Sequence, residues 1–295
     1  MANSFELDGR GPSDRQLLAC GLALLVVAAV VSAALLAAAH AEAPLAGLVI
    51  ASPANPTGTM IDAAQLAELA AWCRAHGVRL ISDEIYHGIS YTGSVGACAQ
   101  RHDPDAVVIS SFSKYWAMTG WRLGWMLLPD DLVDPVNALA GNYALCPPVP
   151  AMHGAMAAFT PESLAEAEQA VAGHAAARQV LLDRLPDLGW GPVAPSDGAF
   201  YLYADIRSLL APGRTARDWC ADLLAATGVA VTPGTDFDPV GGSTSVRVSL
   251  AAGADAVAAA TARIASAGRF SAVNGAEKGT GVRFSCGPRS STRTA

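Results

Sequence analysis

Lysine is almost missing from this chain: 295 residues hold two, Lys114 and Lys278. Charge of either sign is sparse at 15% of residues, and no stretch gathers lysine or arginine. The basic stripe that nucleic-acid binding requires is therefore absent, and a formal net charge of −7 points the same way. No nucleic-acid partner is expected; a small-molecule substrate is. Paired cysteines are lacking too. Cys20, Cys73, Cys98, Cys146, Cys220 and Cys286 lie scattered with no C-x-x-C spacing, which argues against a zinc site, any other metal centre of that kind and a disulfide framework. They read as reduced thiols, mostly in the core. With 52% hydrophobic residues there is ample material for a buried interior, so disorder is not the reading either.

One segment has no charge at all. Leu17 to Ala39 is long enough to cross a bilayer as a helix. Arg10 and Arg15 precede it and no lysine or arginine follows until Arg74, so a membrane helix would place the rest of the chain outside the cytoplasm. The second half of the run also reads straight into "AHAEAPLAGLVIAS", a helix end, a turn and a strand. The cytoplasmic reading is favoured over a membrane helix at 17–39. Asp8 and Asp14 beside the arginines, with no clear cleavage motif, argue against a signal peptide.

From Leu45 the chain alternates apolar strand, special loop and helix. "LAGLVIAS" is stopped by "PANPTGT"; Asp62 and Gln65 then offer a capping box, Leu66, Leu69, Ala70 and Cys73 a helical stripe, and Gly77 a stop. "VRLISDEIY" and "AVVISSFSK" repeat a buried strand with a polar far end, and "GWMLLP" supplies a fourth strand. Continuous apolar strands separated by helices predict an α/β fold built on a mostly parallel sheet. The polar residues Asn55, Asp83 with Tyr86, and Lys114 fall at or just beyond the carboxyl ends of successive strands, where open α/β sheets build ligand sites. Each alone has a plain alternative: a turn former, a helix cap, a surface charge. Their joint placement favours one pocket.

Further on, Thr160 and Pro161 open a long helix, and "GAFYLYADI", a helix around Trp219 to Ala226, "VAVTPG", "SVRVSL" and a helix after Gly253 compose a smaller α+β domain. The expected organisation is an alanine-rich N-terminal segment over 1–44, a partial large domain over 45–155, a small domain over 156–268 and a disordered tail over 269–295. His153 and His174 show no partner pattern and read as structural.

The motifs "SPANPTGT", "SDEIYHGISY", "SFSKYWAMTGWRLGW" and "SVRVSLA" occur in an order and spacing that resembles the class I/II aminotransferases, enzymes of fold type I that use pyridoxal 5'-phosphate. The resemblance spans roughly Ala34 to Ala267. N-P-T-G alone would be weak, whereas S-x-S-K-x7-R joined to D-x-x-Y is specific. It implies that Lys114 attaches the cofactor as a Schiff base and moves the substrate proton, a task that requires a deprotonated amine. It implies that Arg122 makes a forked contact to the cofactor phosphate, with the Ser111 hydroxyl assisting, and lends the charge that lowers the lysine pKa. The intervening glycines and aromatics of that loop would pack around the cofactor. Asp83 would pair with the pyridine nitrogen, Asn55 and Tyr86 would hydrogen-bond the ring oxygen, and Arg247 would clamp the substrate α-carboxylate, its plain alternative being an edge-strand surface arginine.

Transamination of an α-amino acid with a 2-oxo acid by a homodimer is the implied function, with a lyase of the same fold as a variant. A non-catalytic remnant, membrane-associated through 17–39, is the alternative. Family members carry a longer portion before N-P-T-G, with the first sheet strands, a phosphate-binding turn and helix, and an aromatic residue that stacks on the ring. Residues 1–44 show no match to it. The uncharged run is expected to substitute partly for lost core, the dimer contact to be weakened, and the chain as given to bind cofactor weakly.

Overall fold

The computed structural model describes residues 23–27 and 33–267. The uncharged run divides within it. Ala23–Val27 is a strand, β1, and Ala33–Glu42 a helix, α1 of ten residues; positions 17–22 and 28–32 lie outside the described residues, as does the tail from 268 with Lys278. Among the described residues no helix is long and apolar enough to cross a membrane. The expected membrane-helix alternative is thus corrected for 23–27 by pairing: β1 lies parallel to β2 (Leu45–Ala51), which gives its backbone groups a sheet partner.

β2, β3 (Arg79–Asp83) and β4 (Val107–Ser111) continue the parallel ladder, and the sheet order is the sequence order, closing with β5 (Gly124–Leu127). That last strand runs antiparallel to β4, Val108 facing Leu127 and Ser111 facing Gly124. It returns after a loop of twelve residues, 112–123, too irregular to serve as the helical crossover that a parallel neighbour needs. The helix between β2 and β3, α2 (Ala63–His76), forms as its sequence predicts. Asp62 accepts from the Gln65 amide at 2.8 Å, Gln65 Oε1 accepts from the Asp62 amide, and Gly77 ends the helix at φ +65°. Its buried stripe of Leu66, Leu69, Ala70 and Cys73 packs on Leu48, Ile50, Leu80 and Val108, with Leu36 of α1 fully buried in the same core. The alanine-rich segment therefore does contribute core and a strand.

The opposite end of the sheet is different. Continuous apolar strands are expected to be covered on both faces, yet Ile109, Met126 and Leu127 are exposed. The helix that follows, α3 (Asp130–Tyr143), buries no side chain, and α4 (Val149–Met156) buries only Ala151 and Ala155. Leu139, Tyr143, Val149 and Met156 all face solvent.

Thr160 caps α5 (Pro161–Leu188) with Pro161 at its first position. It leads to a three-stranded antiparallel sheet of β6 (Tyr201–Asp205), β8 (Ser245–Ser249) and β7 (Thr232–Pro233), ordered β6-β8-β7. "VAVTPG" yields only two strand residues. With α6 (Ala216–Thr227) and α7 (Ala254–Ser266), this part has its own core around Leu181, Leu202, Leu223, Val246 and Ile264. The two parts meet at glycines. Gly198 donates its amide to the Gly58 carbonyl at 2.9 Å, and a Cβ on Gly58 would stand 2.8 Å from both the Gly198 oxygen and Ser196 Cα.

Candidate active site

The carboxyl ends of β2, β3 and β4 lie side by side, Ala51 paired with Asp83 and Asp83 with Ile109. Beyond β2, the turn 54–59 is closed by the Ala54 amide on the Thr59 carbonyl and the Gly58 amide on the Ala54 carbonyl. It presents Asn55 toward the small domain. Asn55 Oδ1 accepts from Arg247 Nη1 at 2.8 Å, a bond between residues 192 positions apart.

Past β3, "DEIYH" divides its work. Glu84 is 2% exposed and turns away from the strand ends, accepting the Ala99 amide at 2.8 Å and pairing with His87 Nδ1 at 3.2 Å. That anchors the segment. Asp83 is half-buried and accepts the Ile85 amide at 3.2 Å. Burial pushes its carboxyl above the ordinary carboxylate range, against the opposing pull of that amide and of Lys114. Tyr86 is buried, its hydroxyl 3.0 Å from the Tyr201 hydroxyl. Burial drives its phenol strongly upward, so it is protonated at neutral pH.

Past β4, Lys114 places Nζ 5.6 Å from the centre of the Tyr86 ring. The loop 112–123 around it is held by its own groups. Ser111 Oγ accepts the Ser113 amide at 2.9 Å and donates to the Leu123 carbonyl at 3.3 Å, and Thr119 Oγ1 donates to the Ser113 carbonyl. Two of its aromatics, Phe112 and Trp116, join a ring cluster. Phe112, Trp116, Trp125 and Phe159 pack edge-on or tilted against one another, with ring centres 4.9–5.8 Å apart. Phe112 is buried at the centre of this cluster, Trp116 and Trp125 are half-buried and Phe159 covers it from the solvent side.

Arg247 lies on the central strand of the small sheet, between Tyr203 on β6 and Thr232 on β7, so the edge-strand alternative does not apply. Its guanidinium stands 4.3 Å from the ring centre of Tyr201 and 4.3 Å from that of Phe237. Nη2 donates to Thr232 Oγ1 at 3.4 Å, while the buried Nε has no partner among the described residues. A buried guanidinium donor without an acceptor is costly unless something supplies one. A carboxylate would, bidentately, along the Nε edge.

The site residues thus fall into two contacting groups, Asn55 with Arg247 and Lys114 with Tyr86, bridged by the Tyr86–Tyr201 hydroxyl pair; Asp83 lies near enough to feel the Lys114 charge. Arg122 does not join them. It is exposed, in the left-handed region at φ +53°, with Nη1 donating to the Thr119 carbonyl. Among the described residues, the Ser111 hydroxyl bonds only the Leu123 carbonyl and the Ser113 amide of its own loop. Tyr201 and Phe237 were not singled out by the sequence, where they show only as apolar positions in "GAFYLYADI" and "TDFDP". No local motif marks a ring that works by lying under a distant arginine.

The sequence model of the family described as "Aminotransferase class I and II" matches residues 28–263, most of the chain. The chain belongs to this family. A valine–pyruvate aminotransferase of Mycobacterium tuberculosis is 49% identical over 229 residues, 77% of this chain and 58% of that protein. The aspartate aminotransferase of Geobacillus stearothermophilus is 33% identical over 225 residues, 74% and 56% of the two. Among solved structures, an aminotransferase from Mycobacterium tuberculosis superposes with a TM-score of 0.76 at 48% identity, covering 80% of this chain and 60% of that one. The Thermus thermophilus aspartate aminotransferase with maleate gives 0.69 at 31%, covering 76% and 57%. The aminotransferase match begins inside the uncharged run, earlier than the motifs alone suggested. The chain spans somewhat under three fifths of the length of these curated relatives.

Proposed function

We propose that the protein transaminates an α-amino acid with a 2-oxo acid using pyridoxal 5'-phosphate, acting as a cytoplasmic homodimer. The observation that carries this reading is the convergence of Asn55, Asp83, Tyr86 and Lys114 at adjacent strand ends with an arginine, Arg247, whose buried Nε lacks an acceptor. This donor set fits the cofactor. A half-buried carboxylate suits a ring nitrogen that carries a proton, a buried phenol and an amide suit a ring oxygen, and a lysine on a loop between them suits the aldehyde. When bound, pyridoxal phosphate supplies an aldehyde for amine attachment and a ring that accepts the electron pair released at the substrate α-carbon.

The chain's own groups do the rest. Lys114 would hold the cofactor aldehyde through its amine and, once that amine is free, would move a proton between the substrate α-carbon and the cofactor. Asp83 keeps the ring nitrogen protonated. Tyr86 donates to the ring oxygen, and Asn55 steadies both that oxygen and Arg247. Arg247 receives the substrate carboxylate on its Nε edge, between two aromatic faces that exclude water. Ser111 and Arg122 are assigned to the phosphate, which requires the Arg122 side chain to leave the Thr119 carbonyl.

The branched skeleton of the Mycobacterium relative's named substrate supports an aliphatic amino acid as amino donor. The exposed apolar surface of β5, α3 and α4 supports a second copy as partner. The test is titration of the purified chain with pyridoxal phosphate, followed visibly, and a coupled assay with valine and pyruvate. Visible absorbance lost in Lys114→Ala is expected. Unchanged absorbance in that variant would refute the lysine assignment.

A further inference from the structure

Tyr201 touches both halves of the site. It is buried on β6, its hydroxyl 3.0 Å from that of Tyr86 and its ring face 4.3 Å from the Arg247 guanidinium. The first partner belongs to the ring-oxygen end of the proposed cofactor site and the second to the carboxylate end. The backbone around it is fixed: Ser196 Oγ donates to the Tyr201 carbonyl at 2.7 Å, and Tyr201 pairs with Ser249 on the central strand. Tyr86 packs edge-on and Phe200 tilted against its ring.

Two phenols at this distance share one hydrogen-bond line, and only one of them can donate along it. If Tyr86 donates to Tyr201, its single proton is spent and it offers a ligand only lone pairs. If Tyr201 donates, the Tyr86 proton is free to turn to an acceptor. Tyr86 is the phenol with a ligand to serve. Among the described residues, Tyr86 is the side-chain hydrogen-bond partner that Tyr201 has.

We propose that Tyr201 is a positioning residue that registers the two ends of the site: its hydroxyl donates to Tyr86 and so releases the Tyr86 proton toward the ligand, while its ring face fixes the plane of Arg247. This rests on the assignment of Tyr86 and Arg247 in the preceding reading. One side chain then couples how the ring oxygen is held to how the carboxylate is held, and the hydroxyl and the ring separate the two roles cleanly.

Tyr201→Phe removes the hydroxyl and keeps the ring; Tyr201→Leu removes both. The readouts are the pH midpoint of the visible absorbance of bound pyridoxal phosphate, and the Kd for 3-methylbutanoate, a carboxylate with the branched skeleton of valine and no amine. Tyr201→Phe is expected to move the midpoint by about half a pH unit or more and to leave the carboxylate Kd within about twofold. Tyr201→Leu is expected to move the midpoint similarly and to weaken the carboxylate about tenfold, the scale of a lost desolvated cation–π contact. A midpoint unmoved in Tyr201→Phe, or a carboxylate Kd no weaker in Tyr201→Leu than in Tyr201→Phe, overturns the proposal. A purely structural role would lower thermal stability and move neither readout, which also overturns it. Failure of the wild-type chain to develop visible absorbance at saturating cofactor is a different result: it refutes the cofactor assignment, and the ligand-directed half of this proposal with it.

Discussion

Replacing Gly58 by alanine measures how firmly the N-P-T-G turn is clamped between the two halves of the chain. Gly58 sits at φ +68°, where an L-residue pays roughly 1–2 kcal/mol. Its added Cβ would also stand 2.8 Å from the Gly198 carbonyl oxygen and 2.8 Å from Ser196 Cα. Both are backbone atoms of one segment, so no rotamer can yield; the turn or that segment must move, at a cost of about 1–3 kcal/mol. The sum is about 2–5 kcal/mol. Gly77 provides the internal control, since it has nearly the same φ, +65°, and nothing within 4 Å of an added Cβ. Gly77→Ala should cost only the backbone part, and the smaller unfolded-state entropy of alanine cancels between the two. Urea unfolding of both variants gives the difference, which should be at least about 1 kcal/mol. Equal losses would show that the turn is not packed against the small domain and that the Asn55–Arg247 bond is not enforced from outside.

Borohydride reduction of the cofactor-treated protein should label Lys114; a label on Lys278 alone would sink the assignment. Arg247→Ala should weaken carboxylate binding by about 2–5 kcal/mol with cofactor affinity nearly unchanged, read by paired titrations. Asp83→Asn should stabilise the cofactor-free chain at neutral pH while weakening cofactor binding. Because the folded carboxyl titrates above its unfolded value, its stabilising contribution is complete below pH about 4 and lost as pH rises through the folded pKa, so the stability gain of the variant should appear on raising the pH and vanish in acid. Met126→Lys with Leu139→Lys should reduce self-association of the purified chain in sedimentation experiments, since these side chains line an exposed apolar surface; unchanged association would place the sticky surface elsewhere.

Local signals carried much of the architecture. The Asp62–Gln65 box, the Gly77 stop and the Thr160–Pro161 start all formed where the chain spells them, because a cap is satisfied within four residues. The strand ends that hold Asn55, Asp83 and Lys114 were legible for a related reason, since a buried parallel strand must be continuously apolar and its first polar residue marks the exit. What depends on distant partners was not legible. The direction of β5 is decided by the length and shape of loop 112–123, not by "GWML". The strand at Ala23–Val27 pairs only because β2 offers an edge, since its leucines favour a helix as much as its valines favour a strand. The aromatic cluster at the lysine loop required Phe159, far along the chain, to complete it. The sandwich on Arg247 joins β6, β8 and the loop after β7, a three-body contact that no spacing rule encodes.

The α3 helix, with no side chain buried, has a consequence for how the molecule breathes. Its hydrogen bonds are closed by the helix alone, and an isolated helix of 14 residues with Pro135 inside it is marginal in water. Its amide protons should therefore exchange with deuterium orders of magnitude faster than those of α2, which is sealed by Leu66, Leu69, Ala70 and Cys73. The same helix is joined to β5 by two residues, Leu128 and Pro129. Each local opening thus loosens the far end of the strand that returns from the lysine loop, and the protection factor of the Trp125 amide, bonded across to β4, becomes a gauge of how long that loop keeps its shape.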